Sequence, residues 1–139
     1  MKKLISVLFA TVVMAAGLVV ATGGSASANC TPSQYSGCVS TKTTVSARSF
    51  VPKGSKATVC AKVRATGSNA TPSGRVSFTV SRNRGGYSFS SSKSFSGSKV
   101  CVTTSKLKKS GGYTVTATYK SPAGSIFVNS SASKGFDVG

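Results

Sequence analysis

From residue 43 to residue 138, apolar and polar side chains alternate with period two, and no stretch carries helical periodicity. In "ATVCAKVRA", Val59, Ala61 and Val63 share one face, while Thr58, Cys60, Lys62 and Arg64 share the other. "GRVSFTVS" sets Val76, Phe78 and Val80 against Ser77 and Thr79, and "SKVCVTTS" sets Val100 and Val102 against Lys99, Cys101 and Thr103. "GGYTVTATYK" sets Tyr113, Val115, Ala117 and Tyr119 against Thr114, Thr116, Thr118 and Lys120. Clusters of Gly, Pro and Ser at 52–55, 67–74, 84–86, 110–112 and 121–125 supply turns. Short alternating strands at this spacing predict two antiparallel sheets packed face to face. One feature breaks the pattern: Cys60 and Cys101 occupy positions where a water-facing residue is expected.

The N-terminal 28 residues depart from this alternation. Lys2 and Lys3, an apolar run from Leu4 to Val20 and the small-residue pattern Ala26-Ser27-Ala28 read as an export signal cleaved before Asn29. The alternative is an uncleaved anchor, because the run is nearly long enough to span a bilayer; the cleavage pattern argues against it. Removing 28 of the 139 residues leaves 111, which is one domain with one core. The expected organisation is a signal peptide (1–28), an N-terminal disulfide loop (29–41) and a sandwich domain (42–139), with no transmembrane anchor after cleavage.

Charge changes the picture further. Removing Lys2 and Lys3 takes the net charge from +17 to +15, and the remaining cations face a single acid, Asp137. Such an imbalance bears on solubility, non-specific binding and encounter rates. A solubilising coat ordinarily mixes both signs, so the near absence of acids points to polyanionic partners. The four cysteines, Cys30, Cys38, Cys60 and Cys101, all follow the signal, and an even number in a short exported chain reads as two disulfides with three possible connectivities. With no His and no paired C-x-x-C spacing, no metal is expected.

"PSGRVSFTV", a Gly/Ser-rich hairpin and then "VCVTTSKLKKSGGYTVTATYKSPAGSIFVNSSAS" resemble the bacterial immunoglobulin-like repeats of secreted and cell-surface actinobacterial proteins. Their shared features are a Pro-x-Gly lead into a Val-x-Phe strand, a Leu before Gly-Tyr, and a Thr-rich Tyr-x-Val-x-Ala-x-Tyr strand. The resemblance covers roughly residues 42–138 and is best defined from Leu107 to Tyr119. It implies an all-β, immunoglobulin-like antiparallel β-sandwich of about seven strands. In the strand order it implies, the strands bearing Cys60 and Cys101 are neighbours in one sheet. The implied bridges are therefore Cys60 to Cys101 on the solvent side, and Cys30 to Cys38 around "CTPSQYSGC".

Catalysis is not expected. General acid and base work needs His or a carboxylate of raised pKa, and the chain has no His and a lone Asp137. Calcium sites need several carboxylate oxygens, so no cofactor of that kind is expected either. The S-x-x-K matches at Ser90 to Lys93, Ser105 to Lys108 and Ser131 to Lys134 lack the accompanying S-D-N and K-T-G elements.

Two binding surfaces are expected instead. Lys42 and Arg48 on the first strand, Lys62 and Arg64 on the second and Lys99 on the fifth should project from one sheet face around the disulfide. Such a face suits anionic cell-envelope or extracellular polymers such as teichoic acids, or anionic headgroups. "SRNRGGYSFSSSKSFSG" interleaves Arg82, Arg84 and Lys93 with Tyr87, Phe89 and Phe95. Arg82, Arg84, Tyr87 and Phe95 are candidate loop contacts, although Tyr87 and Phe89 at i, i+2 spacing also suit a strand's core side. Stacking on nucleobases fits this tract, but export separates the protein from RNA. The expected function is a secreted, non-catalytic binding module, extracellular or wall-associated, that adheres to anionic polymers. The alternatives are an adhesin or inhibitor docking an extracellular protein through Tyr35, Tyr87 or Phe95, and a cationic antimicrobial protein, which would need exposed apolar surface beside the charge.

Overall fold

The computed structural model describes Cys30 and residues 37–139; the expected signal peptide and most of the N-terminal loop, with Gln34 and Tyr35, lie outside the described residues. The described chain is all β. Its strands are β1 (Thr41–Ala47), β2 (Phe50–Val51), β3 (Thr58–Ala65), β4 (Ser73–Arg82), β5 (Ser88–Ser96), β6 (Val100–Thr103), β7 (Gly111–Lys120) and β8 (Ser130–Val138). They form an immunoglobulin-like sandwich of a three-stranded sheet, β1-β3-β6, and a five-stranded sheet, β2-β8-β7-β4-β5. All pairings are antiparallel except β2 with β8.

The alternation read from the sequence sets which side chains face inward. Val59, Ala61 and Val63 of β3 meet Val76, Phe78 and Val80 of β4 and Tyr113, Val115, Ala117 and Tyr119 of β7 in one buried core. Two buried tyrosines keep their hydroxyls satisfied by donating to backbone carbonyls: Tyr119 Oη to Ser73 O at 2.7 Å and Tyr113 Oη to Lys109 O at 2.8 Å. The Tyr113 bond is a tyrosine corner, the immunoglobulin-like device that pins the start of a strand to the loop before it. The position two residues further on, where antibody domains carry the cysteine of their core disulfide, is the buried Val115.

The structure has eight strands where about seven are expected, because the first one divides. β1 ends at Ala47, and the chain crosses to the other sheet, where β2 pairs with the end of β8. Phe50 and Val51 are too few to carry a periodic signal, and Pro52, with no N–H to donate, follows at once. Two expected turn clusters also shift: Ser73-Gly74 and Gly111-Gly112 are strand residues. Gly74 (φ +152°) is required there by close approach, since a Cβ would run into the Lys120 carbonyl oxygen of β7.

Both disulfides form as the resemblance implies, Cys60 with Cys101 and Cys30 with Cys38. The second holds the N-terminal segment where Val39 continues into the sandwich. Val39 N donates to Ile126 O (2.8 Å) and its carbonyl accepts from Val128 N (3.0 Å). Thr41 and Thr43 of β1 close that edge through hydroxyl contacts to Ser130 of β8, each 2.7 Å.

Candidate polyanion-binding face

The outer face of β1-β3-β6 gathers most of the expected basic residues. Register places Lys42 opposite Arg64, Thr44 opposite Lys62 and Ser46 opposite Cys60, which in turn lies opposite Cys101. Lys42, Thr44, Lys62 and Arg64 line one shallow depression. Its floor is fixed by the ladder and by Thr44 Oγ1, which donates to Lys62 O at 3.2 Å. The Cys60–Cys101 bridge ties β3 to β6 beside it, holding the backbone that carries Lys62. Lys99, exposed, immediately precedes β6, next to Val100, whose partner is Ala61. Asp137, the chain's one acid, stands on β8 of the other sheet, so no carboxylate shares this face.

Arg48 does not join them. It lies beyond the end of β1, at the crossing between sheets, and lines a separate cleft with Phe50, Pro52, Lys56 and Thr58. The sheet switch, invisible to period-two reasoning, ends β1 one residue before it.

The opposite outer face is largely a field of hydroxyls, with cations at one end only. Across β5, β4, β7 and β8, register aligns Ser88, Ser81, Thr114 and Gly135, then Ser90, Thr79, Thr116 and Ser133, then Ser92, Ser77, Thr118 and Ser131. Hydroxyls bond across strands, Ser77 to Ser92 at 2.8 Å and Thr116 to Ser133 at 2.7 Å. The Thr ladder of β7 was legible in the sequence, but its serine neighbours needed the register. These three rows carry no charge, but the fourth row of the same face, Ser94, Arg75 and Lys120, adds two exposed cations that face each other across β4 and β7.

The candidate loop contacts divide. Phe95 is a correction: it sits on β5 and is 3% exposed, its ring edge-on to Tyr119 with centroids 6.1 Å apart. Tyr87 is half-buried against the core, edge-on to Tyr113, with its hydroxyl 2.9 Å from Ser105 Oγ. The i, i+2 spacing suggested a core side for Tyr87 and Phe89, and both pack partly buried against the core; Phe95 lies inward on β5 by the same alternation. Arg82 is also engaged: Nε and Nη2 donate to Ser110 O at 3.1 and 2.9 Å. Arg84 is exposed in the β4–β5 turn.

Two of the S-x-x-K matches lie within strands, where residues three apart face opposite ways. Ser90 and Lys93 on β5, and Ser131 and Lys134 on β8, therefore cannot meet; Lys134 Nζ donates instead to Ala47 O at 3.0 Å. Among the described residues no group of three or more His, Cys, Asp or Glu stands together as a metal site would, and no helix is long and apolar enough to cross a membrane. No protein-family model matches the chain, and no curated protein is significantly similar to it in sequence.

Proposed function

We propose that the protein is an exported, non-catalytic binding module, akin to the immunoglobulin-like repeats of actinobacterial surface proteins, that adheres to anionic envelope or extracellular polymers through the outer face of β1-β3-β6. Lys42, Lys62 and Arg64 bind in the shared depression, and Lys99 extends the contact along β6. The observation that carries this reading is the pairing of Lys42 with Arg64 across two strands, with no acid on the face to offset it. Like charges set directly opposite destabilise a sheet, and a bound polyanion relieves that cost. Disulfides on both the face and the N-terminal segment suit an oxidising, extracellular setting.

The test is retention of the protein on purified anionic wall polymer. Lys62→Glu, Arg64→Glu and Lys99→Glu together should abolish retention at low salt while leaving the fold intact by circular dichroism. Undiminished retention of that folded variant overturns the proposal.

A further inference from the structure

At one end of the sandwich the loops converge. The segment before β3 is tied to the segment before β7 by two backbone bonds, Gly54 N to Leu107 O at 2.7 Å and Leu107 N to Ser55 O at 2.8 Å. The β4–β5 turn joins the same assembly through Arg82 to Ser110 O, Asn83 N to Gly112 O (3.0 Å) and the Tyr87–Ser105 hydroxyl pair. Leu107 is fully buried beneath, anchoring the lysines on either side of it. The consequence is a fixed cluster of exposed cations from three loops: Lys53 and Lys56, Arg84, and Lys106, Lys108 and Lys109. Fixed loops lose little freedom on contact, which favours binding.

Beside this cluster, on the short β2 between Arg48 and Lys53 and paired in register with the exposed Asp137 of β8, stands Phe50, 58% exposed and the more exposed of two large apolar side chains that face solvent among the described residues; six cluster cations and Arg48 outnumber that one acid. A hydrated phosphodiester chain gains nothing from such a ring. An interface that offers anionic headgroups above an apolar layer takes both features at once, the cations at headgroup level and the aromatic ring at the boundary.

We infer that this loop end is a second contact surface, distinct from the polymer-binding face, and that it docks peripherally on an anionic lipid bilayer. One aromatic ring inserts only shallowly, so docking leaves the bilayer intact.

The experiment is co-sedimentation of the disulfide-bonded protein with vesicles of phosphatidylglycerol and phosphatidylcholine, and with phosphatidylcholine alone. Binding should require phosphatidylglycerol. Neutralising Lys106, Lys108 and Lys109 (each Lys→Gln) should lower partitioning roughly 100-fold, about fivefold per cation. Lys53→Gln with Lys56→Gln on the neighbouring loop should lower it in the same direction. Phe50→Ala should remove the binding that survives high salt. Lys62→Gln with Arg64→Gln on the sheet face should leave partitioning within about threefold, less than one docking cation is worth. Equal partitioning of the loop variants and the unmodified protein overturns the inference, as does a face variant that loses as much as a loop variant. Release of an encapsulated dye would also overturn it, since that is disruption and not docking.

Discussion

Lys42 on β1 and Arg64 on β3 are direct cross-strand partners, exposed on a face that holds no carboxylate. A sheet surface adapted only for stability would place opposite charges or threonines there. Arg64→Thr should therefore raise stability, by roughly 0.5 kcal/mol, while weakening polymer binding. Urea denaturation and a binding isotherm on the same preparation check the two signs. A variant that is less stable, or that binds as tightly as the unmodified protein, would show that the pair is not held for a ligand.

The two disulfides should differ in weight. Cys60 and Cys101 are 41 residues apart in sequence and Cys30 and Cys38 only 8. In the chain-entropy account the long loop constrains the unfolded state by about 4 kcal/mol and the short one by about 2.5 kcal/mol. Urea denaturation of Cys60→Ala/Cys101→Ala and of Cys30→Ala/Cys38→Ala should preserve that order. The first pair also splints the sheet that carries Lys62, so its removal should lower the midpoint more.

Alkaline pH tests the core. Burial raises the Tyr119 phenol above its ordinary value of 10.0. The folded state then holds this proton more tightly than the unfolded chain does. The corresponding stability is fully present below about pH 10 and is lost as pH rises through the raised folded value. Tyr119→Phe should flatten that decline, at the expense of about 1 kcal/mol at neutral pH for the lost bond to Ser73 O. Every other titratable group is common to both proteins, so the difference between their pH profiles isolates Tyr119. Parallel profiles would contradict the assignment.

What was legible in the sequence follows from period two. Inward placement of Val59, Phe78, Val115 and Tyr119 was readable because each strand is long enough to alternate several times. The Cys60–Cys101 bridge needed the strand order as well, which only the resemblance supplied. Arg48 was read as part of the first strand, which ends one residue earlier, because a strand that switches sheets keeps its local pattern up to the switch. The loop-end cluster was not legible at all: its lysines and arginines lie in three separate segments, and the backbone bonds from Gly54 and Leu107 that unite them carry no side-chain signature. Phe95 looked like an exposed aromatic among serines and proved to be a core residue of a β5 edge strand, where only the inward side needs to be apolar.

The account's central claim is electrostatic capture by the β1-β3-β6 face, and its most direct measurement is the salt dependence of binding to a purified teichoic acid. The logarithm of the association constant should fall linearly and steeply with the logarithm of salt concentration, and Lys62→Gln with Arg64→Gln should reduce the slope by about one for each cation removed. Binding that is indifferent to salt, or a slope unchanged by those two substitutions, would contradict it.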